Sequence, residues 1–418
     1  MGKFIIDGGT KLFGSAIIQS SKNAILPMLA ASLLNREKVT INNCPKIADV
    51  LNMIKILESL GCSVVFEDGK VEIDSSRASG CKITHDLSKA LRSSIFLLGS
   101  ILGRFKYGKV AYPGGCDIGQ RPIDFHLKGL KCLSVEITEF GGEIECIGKN
   151  LQGANIQFDF PSVGATENIM LAAVLAEGKT IIRNAAKEPE IVDLQNFINA
   201  MGGNIKGAGS STIEIVGVEE LKKVSYTPIP DRIVAGTLLM VGAMCGGEIE
   251  LCNCVPEHVY SLIFKLRETA CQIDLQNDKI YLKVPRRLKC VHMVETAAYP
   301  GFPTDLQAQF VSLASISEGT TAIVENIFET RYKHVPELIK MGANITVRDR
   351  IAIVRGVQKL TGAEIFAKDL RGGAALVLAG LCADGQTVVN DIYHIDRGYE
   401  RLDELLTTLS AKIKRVDA

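Results

Sequence analysis

Apolar residues fall along the chain in two patterns. Six segments are apolar almost without interruption: residues 24–34, 94–102, 169–176, 233–244, 306–316 and 374–382. A helix that is hydrophobic all round is a buried one, so each segment predicts a helix enclosed by sheet. Between them, polar and apolar residues alternate with a helical period, as in Val50-Leu-Asn-Met-Ile-Lys-Ile-Leu-Glu58, which predicts helices covering a surface. With the short extended stretches that flank both kinds, the recurring unit reads strand, apolar helix, strand, amphipathic helix, strand.

The unit repeats. A small residue followed by a strand recurs in Leu60-Gly-Cys-Ser-Val64, Leu133-Ser-Val-Glu-Ile137 and Met201-Gly-Gly-Asn-Ile205. It returns in Thr269-Ala-Cys-Gln-Ile273, Met341-Gly-Ala-Asn-Ile345 and Leu409-Ser-Ala-Lys-Ile413. Gly61, Ser134, Gly202, Ala270, Gly342 and Ser410 are spaced 73, 68, 68, 72 and 68 residues apart. A small residue there suits a helix C-terminus that needs left-handed backbone or close packing. Strand starts at Glu37, Gly108, Gly178, Gly247, Gly319 and Gly385 keep the same period. Two markers in step make six repeats of about 70 residues, an α/β (α+β) chain of βαβαβ-type units. Six units in 418 residues divide most simply into two domains of three, with Pro228-Ile-Pro230 as the crossing point. Periodicity leaves open which half takes residues 1–21. A continuous solenoid is disfavoured, because buried helices need sheet around them.

Composition narrows the class. Lys plus Arg and Asp plus Glu both number 47, so the formal net charge is zero, and a general nucleic-acid binder is not expected. There is no Trp to build a base-stacking platform. No apolar run is long enough to span a bilayer, and the N-terminus lacks a signal-peptide pattern. Twelve cysteines, many in apolar context such as Cys62, Cys245 and Cys382, read as reduced core thiols of a cytoplasmic enzyme. Phosphate-loop and dinucleotide fingerprints are absent. Cys252, Cys254 and His258 lack the second pair of a zinc site and read as a strand end with one thiol on each face. No metal and no cofactor are expected.

The apolar helices open on Lys22-Asn23, Arg92, Ser162-Val-Gly164, Asp231-Arg232, Asp305 and Asp369-Leu-Arg371. Helix N-termini attract anions, whereas a cation there opposes the helix dipole unless an anionic ligand or partner offsets it. For Asp231 and Asp369, helix capping is the simpler reading. Pseudo-equivalent helix starts lined with Lys, Arg and Asp predict a cleft for a multiply anionic ligand, one that closes and expels water.

Tyr112-Pro-Gly-Gly-Cys-Asp-Ile-Gly-Gln-Arg-Pro122 differs from the other cysteine contexts. Its glycines and prolines predict an irregular surface loop. A thiol there is exposed, and Arg121 favours its thiolate.

These residues also carry a resemblance. Ser21-Lys-Asn-Ala24, Pro113-Gly-Gly-Cys-Asp-Ile-Gly119, Ser162-Val-Gly-Ala-Thr166, Glu188-Pro-Glu-Ile-Val-Asp193, Phe302-Pro-Thr-Asp305, Phe328-Glu-Thr-Arg331 and Asp391-Ile-Tyr-His-Ile-Asp-Arg-Gly-Tyr-Glu400 resemble the UDP-N-acetylglucosamine enolpyruvyl transferase family over essentially the whole chain. The resemblance implies an inside-out α/β barrel fold in two domains, 22–229 and 1–21 plus 230–418, with the active site in the cleft between them. It implies transfer of enolpyruvyl from phosphoenolpyruvate to the 3-hydroxyl of UDP-N-acetylglucosamine by addition and elimination, opening peptidoglycan synthesis. Cys116 matches the proton donor to the methylene carbon, which also forms a covalent phosphoenolpyruvate adduct and is the target of fosfomycin. Asp305 matches the base at the sugar hydroxyl. Lys22, Arg121 and Arg397 match groups holding the phosphate and carboxylate of phosphoenolpyruvate, and Arg92, Arg331 and Arg371 match further anion contacts. Asn23, Arg121, Pro122, Ile123, Asp124, Phe125, Ser162, Val163, Gly164 and Ile327 resemble the UDP-sugar contacts.

Three positions depart from the family pattern. Phe160 stands where Lys is frequent, Ser21 where Ala or Gly is common, and Val234 where Glu is frequent. The Phe160 change bears on nucleotide affinity and motivates one alternative, a degenerate UDP-sugar-binding paralogue. The other alternative is an enzyme like 5-enolpyruvylshikimate-3-phosphate synthase, against which the Cys116 loop argues.

Overall fold

The computed structural model describes residues 2–112, 122–284 and 287–417, and the side chains of residues 90, 92 and 93 are also outside the description. Cys116 and Arg121 therefore lie outside the described residues, and of Arg92 only the backbone is described.

The chain forms two compact units, passing from one to the other between Gln19 and Ser20 and again between Ile229 and Pro230. In the unit that begins at Ser20 the helices are α1 Lys22–Ser32, α2 Ala48–Ser59, α3 His85–Ala90, α4 Phe96–Phe105, α5 Asp124–Cys132, α6 Val163–Ala173 and α7 Pro189–Ala200. The other unit holds α8 Arg232–Cys245, α9 Tyr260–Glu268, α10 Gln307–Ala314, α11 Val335–Lys340, α12 Leu370–Cys382 and α13 Leu402–Thr407. The six apolar segments are α1, α4, α6, α8, α10 and α12, all buried along most of their length. Three of them pack on one another inside each unit, so helices fill the centre and sheets lie outside.

Six four-stranded sheets surround them, one for each repeat. Each repeat carries one strand more than the amphipathic pattern indicates. In the first five repeats the chain makes an antiparallel hairpin after the surface helix, as in Asn204–Lys206 with Thr212–Val216. The second hairpin strand then pairs with the strand that follows the buried helix. The hairpin turns are short and polar, so both arms merge into one strand-like stretch when read by periodicity.

Sheet closure draws on distant sequence. Val224–Tyr226 runs parallel to Lys38–Ile41 and completes the first repeat of its unit. Leu12–Ile17 does the same beside Gly247–Cys252 in the other unit. Lys3–Asp7 sits between Gln386–Asn390 and Ile413–Val416, in the place a hairpin strand occupies in the other repeats. In most strands one face is buried, as in the alternating Lys70–Asp74, while outer faces carry cross-strand pairs such as Lys179–Glu214 at 2.7 Å and Lys279–Glu250 at 2.6 Å.

All six small residues of the repeat marker adopt left-handed backbone. Their φ values are 93° at Gly61, 66° at Ser134, 97° at Gly202, 77° at Ala270, 92° at Gly342 and 66° at Ser410. Three repeats therefore tolerate a non-glycine residue in a conformation that costs roughly 1 kcal/mol for an L-residue. The geometry matters more to the fold than the glycine.

The core cysteines behave as expected. Burial pushes the Cys62 thiol up to about 11 and the Cys382 thiol up to about 12. The reading of Cys252 and Cys254 as two faces of one strand end needs correction. The strand stops at Cys252, Asn253 turns the chain with φ 53°, and Cys254 falls in the core beyond it. Its thiol donates to the carbonyls of Leu251 and Asp278, both at 3.5 Å. No described helix is long and apolar enough to cross a membrane.

Candidate active site

The first cluster belongs to the unit beginning at Ser20. Lys22 opens α1, and its ammonium lies 2.7 Å from Asp49 on α2, with both side chains nearly buried. The expected cost of a cation at a helix start is thus met inside the protein, by a carboxylate that the amphipathic pattern hid among surface positions. Asn23 follows as the one residue of α1 that is not buried. The backbone N–H of Ser21 donates to the Ile229 carbonyl at 2.8 Å, tying the start of α1 to the segment before Pro230. Asp193 holds that segment as well, accepting from the Tyr226 hydroxyl at 2.6 Å and the Ile229 N–H at 2.9 Å.

The other candidate sugar contacts of this unit cap two helices. Ile123 precedes α5, which opens with Asp124 and Phe125. Ser162 caps α6 by accepting from the Ala165 N–H at 3.3 Å, and Val163 and Gly164 form its first turn. Pro122 and Asp124 are exposed, whereas Phe125, Ser162, Val163 and Gly164 are half-buried. Phe160, just ahead of α6, exposes 48% of its surface. Deeper in α6, Glu167 is fully buried, and burial, aided by Glu190 and Glu188, holds its carboxyl well above the ordinary range.

The second cluster belongs to the other unit and converges on one carboxylate. Asp305 lies in the short 3-10 turn Thr304–Leu306 that leads into α10. Arg331 donates to one carboxylate oxygen at 2.6 Å and Arg371 to the other at 2.9 Å. Arg331 also reaches the Thr304 carbonyl at 3.2 Å and lies over the Phe328 ring. Arg371 occupies the first turn of α12, where Asp369 caps the helix by accepting from the N–H groups of Arg371 at 3.0 Å and Gly372 at 2.8 Å. Asp231 caps α8 in the same way, so both aspartates take the capping role.

Burial disfavours the charge on Arg371, but Asp305, Tyr399 and Asp231 outweigh it and hold the guanidinium firmly cationic. Its guanidinium lies over the buried Tyr399 ring, whose hydroxyl sits 2.9 Å from Thr237 and 3.3 Å from Gln309. Among the described residues, Arg331 Nε and Arg371 Nη1 have no hydrogen-bond partner although both are buried. His334, also buried, is pulled down to about 4 by burial, with Arg331 adding to the effect against Asp369.

Ile327 owes its position to Glu325, a fully buried carboxylate that periodicity does not single out. Glu325 accepts from the N–H groups of Ile327 at 2.8 Å and Phe328 at 3.1 Å, and from Thr296 and Thr304, both at 2.9 Å. Arg397 closes the 3-10 helix Ile392–Arg397 and is half-buried. The neighbouring Asp396 is fixed by both terminal nitrogens of Arg415. Asp305, Arg331 and Arg371 are thus brought together directly, and Ile327 is anchored on the next loop. Asp49, Glu325 and Tyr399 are the supporting residues that sequence reasoning missed. Each is an ordinary member of its local pattern, and only the partner reveals it.

The comparisons with known proteins agree with this architecture. A family model described as EPSP synthase (3-phosphoshikimate 1-carboxyvinyltransferase) matches residues 6–406. UDP-N-acetylglucosamine 1-carboxyvinyltransferase 2 of Caldanaerobacter subterraneus is 53% identical over 416 residues, covering all of both chains. The UDP-N-acetylglucosamine 1-carboxyvinyltransferase of Geobacter metallireducens is 46% identical, again over the full length of both. Among solved structures, the enolpyruvyl transferase NikO from Streptomyces tendae superposes with a TM-score of 0.88 at 23% identity, covering 100% of this chain and 99% of that one. EPSP synthase from Acinetobacter baumannii superposes with a TM-score of 0.77 at 19% identity, with full coverage of both. The fold is therefore that of the enolpyruvyl transferases, and the chain belongs, within the family that the EPSP synthase model describes, to the UDP-N-acetylglucosamine 1-carboxyvinyltransferases.

Proposed function

We propose that the protein transfers the enolpyruvyl group of phosphoenolpyruvate to the 3-hydroxyl of UDP-N-acetylglucosamine in the cytoplasm, releasing phosphate, as the first committed step of peptidoglycan synthesis. The geometry that supports this best is the carboxylate of Asp305 held between two buried guanidiniums. That arrangement joins a base to groups that bind anions, which a reaction between two anionic substrates requires.

The sugar oxygen attacks C2 of phosphoenolpyruvate and gives its proton to Asp305. Cys116 protonates the methylene carbon, which becomes a methyl group. Loss of a proton from that methyl group and departure of phosphate then restore the double bond as an enol ether. Lys22, Arg121 and Arg397 hold the donor's phosphate and carboxylate, with Arg92, Arg331 and Arg371 as further anion contacts. The buried, partnerless Nε of Arg331 and Nη1 of Arg371 support that role, since an unmet buried donor costs about 1–3 kcal/mol. Asn23, residues 121–125, Ser162, Val163, Gly164 and Ile327 take the UDP-sugar, with Phe160 offering a ring where relatives often place an ammonium.

The test is phosphate release with UDP-N-acetylglucosamine for the wild type, Cys116→Ala and Cys116→Asp, together with mass spectrometry after incubation with phosphoenolpyruvate. Wild-type turnover, loss in the alanine variant, and a Cys116 adduct that the aspartate variant cannot form are expected. Bound UDP-sugar with no adduct and no turnover would identify a binding module instead.

A further inference from the structure

Deep in the unit beginning at Ser20, three helices meet at one buried polar node. Asn168 on α6 is wholly buried, and its Oδ1 accepts from the backbone N–H of Gly99 on α4 at 2.8 Å. Its Nδ2 lies 3.1 Å from Nδ1 of His126, a buried residue in the first turn of α5. The Gly99 N–H can only donate, so it fixes which way the Asn168 amide points. The amide nitrogen also only donates, so His126 Nδ1 is an acceptor and the ring proton sits on Nε2. The network therefore selects one neutral tautomer.

The packing around the node is equally exacting. A Cβ on Gly99 would lie 2.2 Å from the Asn168 carbonyl oxygen and 2.5 Å from its Oδ1. A Cβ on Gly164 would lie 3.2 Å from His126 Cε1, 3.3 Å from its Nε2 and 3.1 Å from Phe96 Cε1. The imidazole thus occupies the space a side chain at 164 would take, and α5 and α6 are set at the distance the ring allows. Those two helix starts carry residues 122–125 and 162–164.

We propose that His126, in its Nε2-protonated form selected by Asn168 and Gly99, is a positioning residue that sets the spacing of the two segments receiving the acceptor nucleotide-sugar. This rests on the assignment of those segments to the UDP-sugar. Acting through those two segments, His126 is expected to affect acceptor affinity rather than the chemical step.

Asn168→Asp tests the tautomer with almost no change in shape. One carboxylate oxygen keeps the Gly99 N–H, while the other faces His126 Nδ1 and demands a proton there. The chain has only six histidines, so nitrogen-15 chemical shifts of labelled protein resolve His126, assigned by its disappearance in His126→Asn. The expected wild-type signal is the Nε2–H tautomer, moving to Nδ1–H or imidazolium in Asn168→Asp. With it, KM for UDP-N-acetylglucosamine should rise about ten-fold, with KM for phosphoenolpyruvate and kcat each within about three-fold of wild type. His126→Asn keeps an acceptor for Asn168 but removes the ring from Gly164, and should raise the same KM with the same selectivity. A wild-type Nδ1–H or imidazolium signal would overturn the proposal. So would an unchanged acceptor KM in both variants, or equal loss in kcat and both KM values. A wild type that binds no UDP-N-acetylglucosamine in calorimetry would instead refute the underlying assignment, whatever the tautomer.

Discussion

The two units place opposite charges at the start of a buried helix and neutralise them by different means. In one, Lys22 opens α1 against the helix dipole, and the buried carboxylate of Asp49 lies 2.7 Å from its ammonium. In the other, Asp305 precedes α10, where the dipole already favours an anion, and two guanidiniums are added. The first arrangement makes an otherwise unfavourable cation stable enough to keep. The second supplies more positive charge than the carboxylate needs for stability. Excess compensation around a half-exposed carboxylate is what a binding site for further anions requires.

Breaking the second arrangement should have the largest consequence. Asp305→Asn removes the base and turns an amide N–H₂ toward one of the two guanidiniums. Steady-state turnover should fall about a thousand-fold, within the usual range for losing a general base. Asp49→Asn should show the reverse emphasis. It removes the carboxylate from beside a nearly buried ammonium, costing about 3 kcal/mol in urea denaturation, typical of breaking a buried ion pair from one side.

Buried titratable groups extend the comparison to pH. His334 has its folded value lowered to about 4, so the unfolded chain takes up its proton first as pH falls. Its contribution is present above about 6.5 and is lost progressively down to about 4. Glu167 runs the other way. Its folded value is raised, so its contribution is complete below 4.5 and is lost as pH rises through the folded value. Glu167→Gln should therefore stabilise the protein at neutral pH more than at pH 4, and His334→Gln should flatten the acid limb of the stability curve. Chemical denaturation across pH 4–8 checks both.

The smallest effect expected is at the repeat marker. Ala270 pays the left-handed penalty at φ 77°, so Ala270→Gly should raise stability by about 0.5–1 kcal/mol. Gly342→Ala, where a Cβ meets nothing within 4 Å, should lower it by a similar amount through φ alone. Matched shifts of opposite sign in melting temperature would isolate the conformational term.

Much of this was legible from residue patterns. The six buried helices and the left-handed turns follow from unbroken apolar runs and from one small residue every 70 or so positions. The extra strand of the first five repeats was not legible, because two hairpin arms merge when the turn between them is short, as with the arms of three and five residues at Asn204–Lys206 and Thr212–Val216. Asp305 and Arg371 stood out as charges at helix starts and Arg331 only through the family resemblance, but nothing in spacing shows that one carboxylate takes both arginines. Asp49 and Glu325 were hidden for a related reason. A carboxylate on an amphipathic helix or in a loop looks solvated until the fold supplies Lys22 for one and two threonines and two N–H groups for the other. His126 and Asn168 look like routine polar interruptions of helices. Their significance lies in contacts 42 and 69 residues apart in sequence.

The most direct measurement offers the purified protein phosphoenolpyruvate with either UDP-N-acetylglucosamine or shikimate 3-phosphate and follows phosphate release. Turnover with the nucleotide-sugar alone, abolished in Asp305→Asn, is the expected result. Turnover with shikimate 3-phosphate and none with UDP-N-acetylglucosamine would contradict it.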